Sequence, residues 1–111
     1  MYSKELLNKA ESGNTKAMIE LSHAYLKGEG VTQDIEKAMD WIEKAANKGD
    51  AAAQHEYAEA LHHLGQSADA FYWMKKSAEN GHKPAKSPLA VLYLNGMGTD
   101  RNIEQGIKWL R

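Results

Sequence analysis

Residues 17–49 read AMIELSHAYLKGEGVTQDIEKAMDWIEKAANKG, two apolar stripes of helical period separated by a glycine-containing break. Over residues 15 to 27, Ala17, Met18, Leu21, Ala24 and Tyr25 fall within about 120° of a wheel with 3.6 residues per turn, a stripe of the width that faces a core. Gly28-Glu29-Gly30-Val31 ends that helix, because glycine enters positive φ without a Cβ clash. Asp34 supplies the N-cap of the next one, in which Ala38, Trp41, Ile42 and Ala45 recur at i, i+3, i+4 and i+7. Lys44 and Lys48 lie near the negative end of its dipole, and Gly49 stops it.

The same pattern returns along the rest of the chain. Ala10-Glu11-Ser12-Gly13, Ala46-Asn47-Lys48-Gly49 and Ala78-Glu79-Asn80-Gly81 align, with successive glycines 36 and then 32 residues apart. Between them equivalent slots refill: Ala17, Ala53 and Ala85; Leu21, Tyr57 and Leu89; Ser22, Ala58 and Ala90; Trp41, Trp73 and Trp109. Periods of this length indicate stacked helix pairs, none of which can bury its apolar face without a neighbour. The expected fold is therefore all-α, an α-solenoid of antiparallel helix pairs in a single domain over residues 1–111. It divides into a capping helix over 2–12, repeat one over 13–48, repeat two over 49–80 and repeat three over 81–111.

The repeats differ in their joints. In repeat two, helix 50 to 63 meets helix 67 to 80 through Leu64-Gly65-Gln66, four residues shorter than the link of repeat one. In repeat three, Ser87-Pro88 stands where the first helix should already be running, so a start near Pro88 with Ser87 as its cap is expected. The last helix is expected from Asn102 to Arg111, with Gly106 where repeat one has Ala38. It lacks a counterpart of the Lys-Ala-Ala-x-x-Gly tail of repeat one, which leaves Ile107 and Leu110 without a following repeat; weak self-association through this end is an expectation, as is the alternative that the chain is part of a longer array. The tryptophans, each beside Ala38, Ala70 or Gly106 in its stripe, are expected to pack against the adjoining pair rather than hold a ligand.

The run from Ala17 to Gly49, with Ala17, Leu21-Ser22, Tyr25, Gly28-x-Gly30-Val31, Asp34, Lys37-Ala38, Trp41, Lys44-Ala45-Ala46 and Gly49, closely resembles the Sel-one-like repeat, a relative of the tetratricopeptide repeat. The resemblance covers about the whole chain, although repeat two lacks the Gly-x-Gly-Val link and repeat three has Gly96-Met97-Gly98-Thr99 there. It implies a right-handed superhelix whose first helices line a concave face and whose second helices form the convex back. It also implies an adaptor or assembly platform of the kind found in signalling, protein quality control and bacterial host interaction.

Composition narrows the function classes. A chain of 111 residues folding as one domain buries roughly 60 to 65% of its unfolded surface. The formal charge of −1 offers no basic field for nucleic acid. Cysteine is absent, which excludes disulfide staples and permits a reducing compartment. No run approaches the roughly 18 apolar residues of a membrane span, and Met1-Tyr2-Ser3-Lys4-Glu5-Leu6-Leu7 enters an amphipathic pattern directly, so a cytoplasmic protein is expected.

No catalytic constellation emerges. Gly28-x-Gly30 and Gly96-x-Gly98 follow helices rather than strands and carry no Gly-Lys-Ser/Thr, so they read as turns and not as a phosphate cradle. No serine occupies a nucleophile elbow, and no cofactor is expected. His55, Glu59 and His62 stand at i, i+4 and i+7 on one helix face, with His23 in the slot that Glu59 fills one repeat later. This makes a metal site geometrically conceivable, but the face opposes the core stripe and the spacing is not that of a zinc protease, so no metal is expected. The favoured reading is a non-enzymatic module that binds a protein or peptide on the groove side of the first helices. The candidates there are Lys16, Ile19, Glu20, His23 and Lys27 in repeat one; His55, Glu56, Glu59, His62 and His63 in repeat two; and Val91, Leu94 and Asn95 in repeat three. The competing readings are a toxin-neutralising bacterial immunity or inhibitor protein and a metal-binding protein using the histidine-rich middle helix.

Overall fold

The computed structural model describes residues 2–111. Seven α-helices run through them: α1 Lys4–Glu11, α2 Thr15–Lys27, α3 Ile35–Asn47, α4 Ala51–His63, α5 Ser67–Glu79, α6 Lys86–Asn95 and α7 Ile103–Leu110, with a 3₁₀ turn at Lys83–Ala85 and no strand among these residues. Each helix packs on its neighbours in chain order, α1 with α2, α2 with α3, α4 with α5 and α6 with α7. The result is an α-solenoid measuring 48 × 24 × 17 Å.

Short polar side chains set the helix starts. Ser3, Asn14, Asp34, Asp50 and Asn102 each accept a hydrogen bond from the backbone N–H three residues on, at 2.9 to 3.1 Å, satisfying a donor that has no partner inside the helix. Two starts depart from the sequence expectation by two residues. The first helix begins at Lys4 rather than residue 2, because Ser3 is its cap and the Tyr2 N–H is spent on Glu29 O at 3.0 Å. Helix α6 begins at Lys86, preceded by the 3₁₀ turn, and Ser87 caps nothing. Pro88 is its third residue, inside the first turn, where a backbone N–H would have had no intrahelical acceptor, so its missing donor costs nothing there.

The core is built from the stripes. Leu6, Ala10, Ala17, Met18, Leu21, Tyr25, Ala38, Ile42, Ala45, Ala46 and Ala53 form one buried cluster, and Ala58, Met74, Ala78, Ala85, Leu89, Leu92 and Tyr93 a second. Trp73 packs against both and so joins them. The tryptophans are half-buried rather than central: Trp41 packs on the first cluster and Trp109 on the second, while the Lys44 ammonium lies 4.4 Å from the Trp41 ring centroid.

Alanine dominates the helix contacts, and small side chains let helices approach closely enough for buried hydroxyls and amides to reach neighbouring backbone. Ser22 Oγ donates to Ala38 O at 2.7 Å, tying α2 to α3, and Ser77 Oγ donates to Ala51 O at 2.6 Å, tying α5 to α4. Gln54, 1% exposed, donates through Nε2 to Ala46 O at 3.2 Å and accepts from Asn80 Nδ2 at 2.9 Å, so one side chain stitches repeat one to the end of repeat two. Among the described residues no buried side-chain polar atom lacks a partner, as a close-packed interior requires.

Two glycines mark the closest approaches. Gly98 has φ +75°, and a Cβ there would run into the carbonyl of Ser67, the first residue of α5, and within 2.9 Å of Phe71 Cβ. At Gly106 a Cβ would meet Leu94 Cδ2 at 2.6 Å, so the exchange of alanine for glycine lets α7 sit closer to α6 than an alanine would permit.

Candidate functional site

The first and second helices of successive repeats enclose two clefts in line. The first, about 370 Å³, has walls from α2 (Ser22, His23, Leu26) and α4 (Glu56, Glu59, Ala60, His63), a floor from α3 (Ile35, Ala38, Met39, Ile42), and Leu64 at one end. The second, about 240 Å³, repeats the plan one unit later, with walls from α4 (Ala58, Glu59, His62, His63) and α6 (Pro88, Val91, Leu92), a floor of Ala70 and Met74 from α5, and Met97 at one end. The correspondence is residue by residue: Ala58 and Glu59 take the places of Ser22 and His23, Val91 that of Glu59, and Met74 that of Ile42. Glu59 and His63 border both clefts.

The clefts are apolar inside and polar at the lip. Leu26, Ile35 and Leu64 at the first are 45%, 46% and 57% exposed, and Val91 at the second is 47% exposed, a concentration of open aliphatic surface along one strip of the molecule. Across the mouth of the first cleft, His23 Nε2 lies 2.8 Å from Glu56 Oε2, a contact that links α2 to α4. Glu56 and Glu59 are the carboxylates of this strip, set among His23, His62 and His63, so its fixed charge is negative when the imidazoles are neutral.

The candidates from the sequence are distributed unevenly. His23, Glu56, Glu59 and His63 border the first cleft, and Glu59, His62, His63 and Val91 the second. Lys16 and Glu20 line a separate polar hollow with Ser3, Glu5, Lys9 and Asn14 between α1 and α2. Ile19 is half-buried against the N-terminal core. Leu94 covers Gly106 of α7, Asn95 ends α6 and Lys27 ends α2, both exposed. His55 lines neither cleft and meets His82, Nδ1 to Nε2 at 3.1 Å, with Glu59 Oε1 3.2 Å from its Nε2. Among the described residues no set of three or more His, Cys, Asp or Glu side chains is arranged to hold a metal ion.

Sequence reasoning missed the apolar lining: Leu26, Ile35, Met39, Leu64, Met74, Pro88 and Met97. A signal was present, because Met39 and Ile42 sit one turn apart on α3 and only Ile42 is buried, but a helical stripe does not say which edge is covered by the next repeat. On the opposite side of α4, the Tyr57 hydroxyl is held above its usual pKa by burial first and by the Glu43 carboxylate second. No helix of the described residues is long and apolar enough to cross a membrane.

Comparison with known proteins agrees with this architecture. The Sel1 repeat model matches residues 15–50, 51–82 and 89–111. The secretory immunoglobulin A-binding protein EsiB of Escherichia coli is 45% identical over 42 residues, 38% of this chain and 9% of its own. The chitin synthase regulator SKT5 of Saccharomyces cerevisiae is 32% identical over 117 residues, 97% of this chain and 17% of its own. The chain thus spans less than a fifth of either relative. Among solved structures, a Sel1 repeat protein from Oxalobacter formigenes superposes with a TM-score of 0.84 at 28% identity, covering 95% of this chain and 82% of that one. A protective antigen of uropathogenic Escherichia coli displaying an SLR fold gives 0.86 at 31% identity, covering 94% and 23%. With the family model matching three successive segments that span most of its length, this chain belongs to the Sel1 repeat family.

Proposed function

We propose that this chain is a non-catalytic binding module that takes a segment of a partner protein along the two clefts of its first-helix face. Sel1 repeat proteins mediate protein–protein interaction, and the relatives include one named for binding secretory immunoglobulin A and one named as a regulator of chitin synthase. The single observation that carries the reading is the strip of exposed aliphatic side chains, Leu26, Ile35, Leu64 and Val91, set in consecutive clefts under a lip of charge. Apolar side chains of a partner entering those clefts would supply energy by leaving water, and Glu56 and Glu59 would select against an acidic partner. The polar network of Ser22, Gln54 and Ser77 holds the helices in place beneath, so the walls are set before a ligand arrives.

Site-specific photo-crosslinking in cells tests this. A photoreactive side chain at Leu26 or Val91 should form covalent adducts with one protein partner, and the same group at Glu43 or Lys75, which line neither cleft, should not. Adducts from Glu43 and Lys75 in place of Leu26 and Val91 would reject the cleft face as the binding surface.

A further inference from the structure

Separate from the clefts, α4 and the turn before α6 bring two imidazoles together. His55 Nδ1 stands 3.1 Å from His82 Nε2, the ring centroids are 5.1 Å apart with planes at 52°, and the pair joins residues 27 positions apart in the chain. Glu59 Oε1 lies 3.2 Å from the other nitrogen of His55. The His55 side chain is 15% exposed, so its orientation is set by packing, while Glu59 is open to water.

The carboxylate decides where the protons sit. A negative oxygen beside Nε2 favours the proton on that nitrogen, which leaves the Nδ1 lone pair facing His82. The contact between the rings then needs the His82 proton on Nε2. A carboxylate behind one imidazole nitrogen with the opposite nitrogen free is the arrangement that orients a histidine toward a metal and raises its basicity. The distance agrees with such use: two nitrogens each ~2.0–2.1 Å from a tetrahedral cation stand about 3.3 Å apart, close to the 3.1 Å seen here.

We propose that His55 Nδ1 and His82 Nε2 form a two-histidine site for a borderline divalent transition cation such as Zn²⁺ or Ni²⁺, with Glu59 as the positioning residue behind His55. Binding would move the His82 proton from Nε2 to that ring's Nδ1, leaving both facing nitrogens free to ligate, and water would complete the coordination shell, since among the described residues no third protein donor converges there. The histidines differ from the set that the α4 sequence suggests. His62 borders the second cleft beside His63, whereas His82 comes from the turn after α5. A bound cation would therefore tie α4 to the turn leading into α6, joining repeat two to repeat three, and of the three side chains only Glu59 is shared with the clefts.

Titration calorimetry of the untagged chain with zinc chloride and, separately, nickel chloride tests the site, with a thermal melt at each end point. One equivalent of cation should bind and raise the melting temperature. His55→Ala and His82→Gln should each weaken binding more than roughly tenfold and remove the thermal shift, while Glu59→Gln weakens it about tenfold because the orienting carboxylate is lost. His62→Ala and His63→Ala should bind as the parent does. His82 lies in a turn, so His82→Gln is the variant whose folding is least at risk, and circular dichroism of each apo variant separates misfolding from loss of ligand. No uptake by the parent at millimolar cation, undiminished uptake by folded His82→Gln, or loss of uptake in His62→Ala would overturn the assignment.

Discussion

Gly98→Ala isolates how tightly the link between α6 and α7 is pressed onto α5. Two effects add at this position. An L-residue at φ +75° costs about 1–2 kcal/mol relative to glycine. The new methyl group would also collide with the Ser67 carbonyl and crowd Phe71 Cβ, and relieving such overpacking costs about 1–3 kcal/mol more. Gly65→Ala is the control, because its φ is +79° and no heavy atom lies within 4 Å of the added carbon. Unfolding entropy of ~2.1 cal/mol/K per residue over 111 residues makes 1 kcal/mol worth about 4 °C in melting temperature. Thermal melts followed by circular dichroism should therefore show Gly65→Ala lower by about 4–9 °C and Gly98→Ala by about 9–20 °C. Equal shifts for the two variants would refute the close approach of this link to the start of α5.

Leu21 is 0% exposed in the first core cluster, so Leu21→Ala should cost about 2–5 kcal/mol, against under about 0.5 for the exposed Glu20→Ala, read from urea melts; Trp41→Ala should fall between them because that ring is only half-buried. Gln54→Ala removes a buried amide with partners on both sides, leaving Ala46 O and Asn80 Nδ2 short of a bond, and should cost about 1–3 kcal/mol in the same assay. Tyr57 is held protonated by burial and by Glu43, so in the folded chain its phenolate absorbance should appear later than that of a free tyrosine near pH 10. The unfolded chain then releases this proton first, and stability must fall as pH rises above about 10; Tyr57→Phe should flatten that loss.

The helix pairs were legible because each repeat states its stripe in full. Ala38, Trp41, Ile42 and Ala45, capped by Asp34, leave one periodicity open, and α3 starts where that cap says. The start of α6 was not legible, since a proline inside a first turn and a proline at a helix start share one local cost and only the packing of Ala85 and Leu89 decides between them. Part of the cleft lining could be numbered by repeat equivalence, as His23, Glu56, Glu59, His62, His63 and Val91 show. Its floor could not: Met39 falls outside the stripe of Ala38, Trp41, Ile42 and Ala45, and Met74 is a buried core residue whose share in the cleft depends on how far apart neighbouring first helices stand. The pairing of His55 with His82 lies further out of reach, as nothing in a one-dimensional pattern places a turn residue against the middle of another helix.

The central claim is that partner binding runs through the clefts. Its most direct test is titration calorimetry with the crosslinked partner, comparing Leu26→Asp, Glu59→Lys and Lys75→Glu with the parent chain. Leu26→Asp and Glu59→Lys should each weaken binding by more than about 1 kcal/mol, the first by placing a charge in an apolar wall and the second by inverting the field at the lip, while Lys75→Glu leaves the affinity unchanged. Full affinity in folded Leu26→Asp and Glu59→Lys, with binding lost in Lys75→Glu, would contradict the account and move the interface to the opposite face.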